Sequence, residues 1–161
     1  MGDGVAQIVV RDIGRSRSTS CVPTAGGMTG EALRLEQILK RDPSHIGALL
    51  GMSLLALAGR QTESAIRMAS AAIVVAPKVG NAWVTLGQAL LAANRQEEAE
   101  QAYLAAIRLD GMNAFARMGL GELKIGAGLP QEAMAHYELA LRRDHALVPA
   151  LLGMWATPWS G

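Results

Sequence analysis

The sequence repeats itself every 34 residues. Ala65, Ala99 and Ala133 stand at this interval, and so do Ala72, Ala106 and Ala140, and Met52, Leu86 and Leu120. A period of this length holds one pair of helices. Such a pair cannot bury its apolar side alone, so neighbouring units must stack. The expected fold is therefore all-α, an α-solenoid of antiparallel helix pairs. Stacks of this kind present a surface to a partner rather than gather a catalytic constellation.

Composition fits that architecture. Half of the 161 residues are apolar while only 4% are aromatic, so small and aliphatic side chains must build the core. Fifteen basic residues against fourteen acidic ones give no electrostatic reason to expect nucleic acid or an anionic membrane as partner. The single cysteine, Cys21, excludes an internal disulfide and a cysteine zinc cluster. No stretch is long and apolar enough to span a bilayer, so membrane insertion is not expected. Ile8-Val9-Val10 is too short for the apolar core of an export signal, which makes a cytoplasmic location the expectation.

Residues 1–28 carry Gly2, Gly4, Gly14, Ser16, Ser18, Ser20, Pro23, Gly26 and Gly27 without helical periodicity, and read as a flexible tail. The repeat domain is expected over residues 29–158. It opens with a half repeat, 29–45, in which Thr29 caps a helix over Glu31 to Arg41 that Asp42-Pro43 closes. Three full units follow, at 46–79, 80–113 and 114–147. In the first, one helix covers His45 to Ala58 and stops at Gly59. The other begins after Thr62 and ends before Pro77. Pro130 suits the first turn of the last unit's second helix, where a missing N–H costs nothing. A terminal helix spans 148–158.

Each recurring residue has a packing reason. Gly87, Gly121 and Ser53 share one phase of the repeat, where the two helices of a unit cross closely. Ala65, Ala99 and Ala133 answer them on the facing helix. Tyr103 and Tyr137 fill the space beside them, with Ala69 the weaker match. The middle unit reads Trp83-x-x-Leu86-Gly87-x-x-Leu90, then Ala99, Tyr103 and Ala106. This pattern resembles the tetratricopeptide repeat family, over about residues 29–158. The resemblance implies a right-handed superhelix and a role in protein–protein interaction, as a scaffold or adaptor. The alanine-rich helices and short turns are similar to those of bacterial members.

In that family the concave groove is lined chiefly by the first helix of each unit. Carried over by phase, the groove positions are Leu50, Leu54 and Leu57; Asn81, Val84, Thr85, Gln88 and Leu91; and Phe115, Met118, Glu122 and Ile125. Family members that grip carboxylate tails use lysine, arginine and asparagine at matching positions. Here Leu50, Leu54, Thr85, Phe115 and Gly119 stand there, so that clamp is rejected. An apolar groove suits an amphipathic helix or an extended apolar segment. Leu54, Leu91, Phe115 and Met118 are the expected anchors, with Asn81, Gln88 and Glu122 fixing orientation. Leu50 and Leu57 suit helix-on-helix packing equally well.

No enzyme activity is expected, and no cofactor or metal. His45, His136 and His145 share no helical face at metal-ligand spacing, and no glycine-rich loop joins a strand to a helix. The terminal helix is unusual. Trp155 falls in the phase of Gly87 and Gly121, where no tryptophan fits a close crossing. Leu151, Met154 and Trp155 are therefore candidates for contact with a second copy, which makes self-association one rival reading. The other rival takes the chain as the non-catalytic arm of a larger enzyme, for example a transferase.

Overall fold

The computed structural model describes residues 29–143. The tail over 1–28 and the terminal helix with Leu151, Met154 and Trp155 lie outside the described residues. Seven helices and no strand occur among those residues: α1 (Thr29–Arg41), α2 (Ile46–Ala58), α3 (Thr62–Val75), α4 (Gly80–Ala92), α5 (Gln96–Leu109), α6 (Ala114–Gly126) and α7 (Pro130–Arg143). The period is visible in the boundaries themselves. First helices begin at Ile46, Gly80 and Ala114, second helices at Thr62, Gln96 and Pro130. The chain divides into two compact units, one reaching Pro77 and the other starting at Lys78. The first holds α1 to α3, the second α4 to α7.

In the first unit α2 packs against both α1 and α3. Its core is alanine-rich: Ala48, Ala65, Ala69 and Ala72 are buried along with Leu49. Small side chains let the helix axes approach, and the stabilisation comes from many close dispersion contacts. Gly51 has Leu35 of α1 so near that a Cβ on the glycine would meet Leu35 Cδ1 at 2.9 Å. Ser53 is fully buried at the α2–α3 crossing and donates its hydroxyl to the Ala65 carbonyl, 2.8 Å away. That bond satisfies a polar group that burial would otherwise penalise. The valine pair of α3, Val74 and Val75, is exposed, so the burial of this apolar helix rests on its alanines.

In the second unit α4 pairs with α5 and α6 with α7. α6 also packs on α5 and touches α4. Tyr103 of α5 is fully buried between glycines of the two first helices. A Cβ on Gly87 would lie 2.6 Å from Tyr103 Cε1, and one on Gly119 would fall into the far end of the same ring. Gly121 repeats the arrangement within the last pair, 2.5 Å from Tyr137 Cε1. The expected crossing residues are thus in place. The part of Gly119 is additional, since it receives the tyrosine of the preceding pair.

The turns within pairs are alike. Arg60, Asn94 and Gly128 all have positive φ, at 58°, 59° and 74°. Each lies two residues past the end of a first helix. The amide of Gln61 donates to Ala56 O and that of Arg60 to Leu57 O. Arg95 and Asn94 do the same to Leu90 and Leu91, as do Leu129 and Gly128 to Lys124 and Ile125. This is the paired bonding that closes a helix on a left-handed residue. α2 stops at Gly59 as expected, with an ordinary φ of −80° there, and the left-handed residue is the next one, Arg60. Thr29 is the first described residue and lies within α1.

The turns between pairs use side chains. His45 Nδ1 accepts from the Ala48 amide at 3.0 Å, which caps α2. Asn113 does the same for α6 through the Ala116 amide at 2.9 Å. Asp42 accepts from the Ser44 amide and hydroxyl, and these bonds hold its pKa below the ordinary carboxylate value. Val79 occupies the corresponding place before α4 and supplies no side-chain cap.

Candidate functional site

The residues expected to meet a partner lie on first helices, because second helices turn their buried faces toward the first. In the first unit Leu54 stands out from α2 with half of its surface exposed (50%). Leu50 and Leu57, on the same helix, are half-buried.

In the second unit the expected positions divide into three groups. Val84 and Thr85 are buried, and Thr85 Oγ1 donates to the Asn81 carbonyl one turn back, 2.9 Å away. They belong to the interior of the unit and present no open surface. Leu91, Met118 and Ile125 are half-buried. Met118 and Ile125 pack on the cluster of Ala114, Ala133, Tyr137 and Ala140 between α6 and α7. Asn81, Gln88, Phe115 and Glu122 are exposed, Phe115 by 53%. Repeat phase placed these residues on the first helices. It gave no measure of how much neighbouring helices would cover, and Val84 and Thr85 differ for that reason.

On α6 the exposed and half-buried members form one stripe. Phe115, Met118, Glu122 and Ile125 follow the three- and four-residue steps that keep side chains on one helical face. The stripe is apolar except for Glu122. That carboxyl is solvent-exposed, yet the protein around it desolvates it enough to raise its pKa above the ordinary value. Its charge also acts on the buried phenols. Burial, then Glu122, pushes the pKa of Tyr103 far up, and the same two causes raise that of Tyr137. The Tyr103 hydroxyl is buried without a hydrogen-bond partner among the described residues. The sequence pattern marked Tyr103 as a filler and gave no sign that Glu122 would lie near its phenol.

A separate ionic cluster ties the second unit together. Lys124 of α6 reaches Glu100 of α5 at 3.2 Å and Glu132 of α7 at 3.5 Å. His136 of α7 lies within the field of these charges. Its Nδ1 is buried without a hydrogen-bond partner among the described residues, and desolvation, Arg117 and Lys124 lower its pKa. Among the described residues no group of three or more histidine, cysteine, aspartate or glutamate side chains is placed to hold a metal ion. No helix among them is long and apolar enough to cross a membrane.

Comparison with known proteins gives a consistent result. The family model for the tetratricopeptide repeat matches residues 50–114 and 85–146. The BBSome complex member BBS4 of Bos taurus is 33% identical over 90 residues, which cover 56% of this chain and 17% of that protein. A peroxisomal targeting signal receptor of Eremothecium gossypii is 36% identical over 92 residues, covering 57% of this chain and 16% of that protein. The chain thus matches about a sixth of the length of these relatives. Among solved structures, pilF of Pseudomonas aeruginosa superposes with a TM-score of 0.70 at 20% identity, over 95% of this chain and 65% of that one. At that identity the likeness is one of fold.

Proposed function

This chain belongs to the tetratricopeptide repeat family, and on that premise we propose that it binds a protein partner through the first-helix face of its second unit. It is a protein-interaction scaffold, and we propose for it a non-enzymatic role in the cytoplasm. The observation that carries it is Phe115. A phenylalanine more than half exposed on a first helix, one turn from half-buried Met118, leaves apolar area that a partner would remove from water. The helices that carry these side chains are locked by the Tyr103 and Tyr137 crossings, so the face is preformed and little ordering entropy is lost on binding. Asn81 and Gln88 at its edge supply hydrogen bonds that orient the partner. Leu54 holds the same phase of the repeat as Gln88 and is an exposed apolar residue of the first unit.

The test is affinity capture from the source lysate with wild type beside Leu91→Glu, circular dichroism confirming that both are folded. A partner retained by wild type and lost by the variant supports the reading. Equal capture by both proteins places the interface elsewhere.

A further inference from the structure

Glu122 is the one charged side chain among the expected partner-facing positions of the second unit. Its surroundings on α6 are apolar on both sides, with Met118 one turn before it, Ile125 one turn after it, and Phe115 two turns before it. Gln88, which holds the same phase on α4, is neutral. Among the described residues Glu122 makes no hydrogen bond or ion pair. By contrast Glu98, Glu100 and Glu132 are all engaged, Glu98 with Arg95 and the other two with Lys124. The two basic side chains of α6 itself are taken up elsewhere. Lys124 is held by its two glutamates, and Arg117 donates to the Gly111 carbonyl.

We propose that Glu122 is a cation anchor, so that the partner of this face is a peptide segment carrying a lysine or arginine beside apolar residues. The inference rests on the first-helix face being the binding surface, and it names the chemistry of what binds there. Charge complementarity decides the class. An acidic segment would meet an uncompensated carboxylate and be repelled. A purely apolar one would bury that carboxylate without a counter-charge, at a cost that no contact offsets. A basic residue neutralises it, while its methylene stem lies along Met118 and Ile125. Phe115 and Glu122 are seven residues apart, about 10 Å along the helix, so a helical partner would space its apolar anchor and its cation by two turns. The desolvation already felt by the Glu122 carboxyl strengthens its attraction for a cation relative to a fully hydrated carboxylate.

The experiment is a selection of a phage-displayed library of random 12-residue peptides on the full chain, run on wild type, Glu122→Gln and Phe115→Ala. Wild type is expected to enrich peptides with a lysine or arginine at a fixed distance from apolar residues. The enriched peptide should bind Glu122→Gln about two- to fivefold more weakly at low salt, as for an exposed ion pair. Replacing its basic residue by norleucine should weaken binding to wild type by the same factor and leave binding to Glu122→Gln unchanged. Peptides without basic bias, or equal affinity for wild type and Glu122→Gln while Phe115→Ala weakens binding, would overturn the cation anchor and leave the face standing. Binding untouched by Phe115→Ala would bring down the face itself. The absence of any selected peptide would overturn both.

Discussion

The ring of Tyr103 lies against the backbone of Gly119, so close that a single methyl group on the glycine would overlap the ring's far end. Gly87 closes the opposite approach, with its own added Cβ 2.6 Å from the ring. One tyrosine thereby fixes the spacing of three helices: its own α5, the α4 it pairs with, and the α6 that follows. The ring is fully buried. Gly119→Ala and Gly87→Leu should each destabilise the protein by about 1–3 kcal/mol through overpacking. Gly126→Ala is the control, since a Cβ there meets nothing within 4 Å and removes backbone freedom from the unfolded chain. Urea midpoints of the three variants check this. Equal midpoints for Gly119→Ala and Gly126→Ala would refute the fit.

The first unit solves the same crossing without a tyrosine. Ser53 stands in the phase of Gly87 and Ala69 in that of Tyr103, and both are fully buried. The small Ala69 leaves space for a hydroxyl, which donates to Ala65 O. This exchange can be transplanted. Gly87→Ser alone should clash with the ring, and Tyr103→Ala alone should cost about 3–5 kcal/mol by leaving a cavity. Together they should cost less than the sum, because the alanine removes the clash and the new hydroxyl reaches the Ala99 carbonyl. A double-mutant cycle in urea reads the coupling, expected at about 0.5–3 kcal/mol in favour of the pair. Strict additivity would mean that the two positions are not solving one packing problem.

Arg60 carries a backbone conformation that its side chain disfavours. At φ 58° it closes α2 as Gly128, at φ 74°, closes α6. A left-handed residue with a Cβ costs about 1 kcal/mol relative to glycine. Arg60→Gly should therefore raise stability by about that amount, and Gly128→Ala should lower it similarly. Thermal melts of the two variants test the pair, with opposite shifts expected. A fall in melting temperature for Arg60→Gly would show that the arginine side chain contributes more than its backbone costs.

The period made the helices and their crossings legible, because Ala65, Ala99 and Ala133 admit only a close approach at that phase. Three features escaped it, each for a physical reason. The left-handed position at Arg60 is set by backbone hydrogen bonds, and an arginine there hides the signal that Gly128 displays. The second contact of Tyr103 lies in the next pair, whereas the phase pairs residues within a unit. A clue existed: Gly51 follows Leu35 by the same interval at which Gly119 follows Tyr103, and both glycines receive the preceding bulky side chain. The site was partly legible. Phe115, Gln88, Asn81 and Glu122 face outward, but the burial of Val84 and Thr85 depends on how far neighbouring helices cover α4, which periodicity does not report.

His136 gives the fold a pH dependence with a definite sign. Its Nδ1 is buried without a partner among the described residues, and burial, Arg117 and Lys124 together depress its pKa below 6.5. The folded state thus holds fewer protons than the unfolded state as the pH falls through that region. Stability rises with pH wherever the unfolded chain binds more protons, so acidification through 6.5 and below removes stability. Glu122 acts in the opposite sense. Its raised carboxyl pKa makes the folded state take up a proton before the unfolded state does, which adds stability on acidification through that region. Melting temperatures measured across this range should fall from neutral pH toward the lowered histidine pKa in wild type and stay flatter in His136→Gln. A Glu122→Gln background removes the carboxylate contribution and should steepen the wild-type fall at its acidic end. An identical slope with and without His136 would assign the acid sensitivity to other groups.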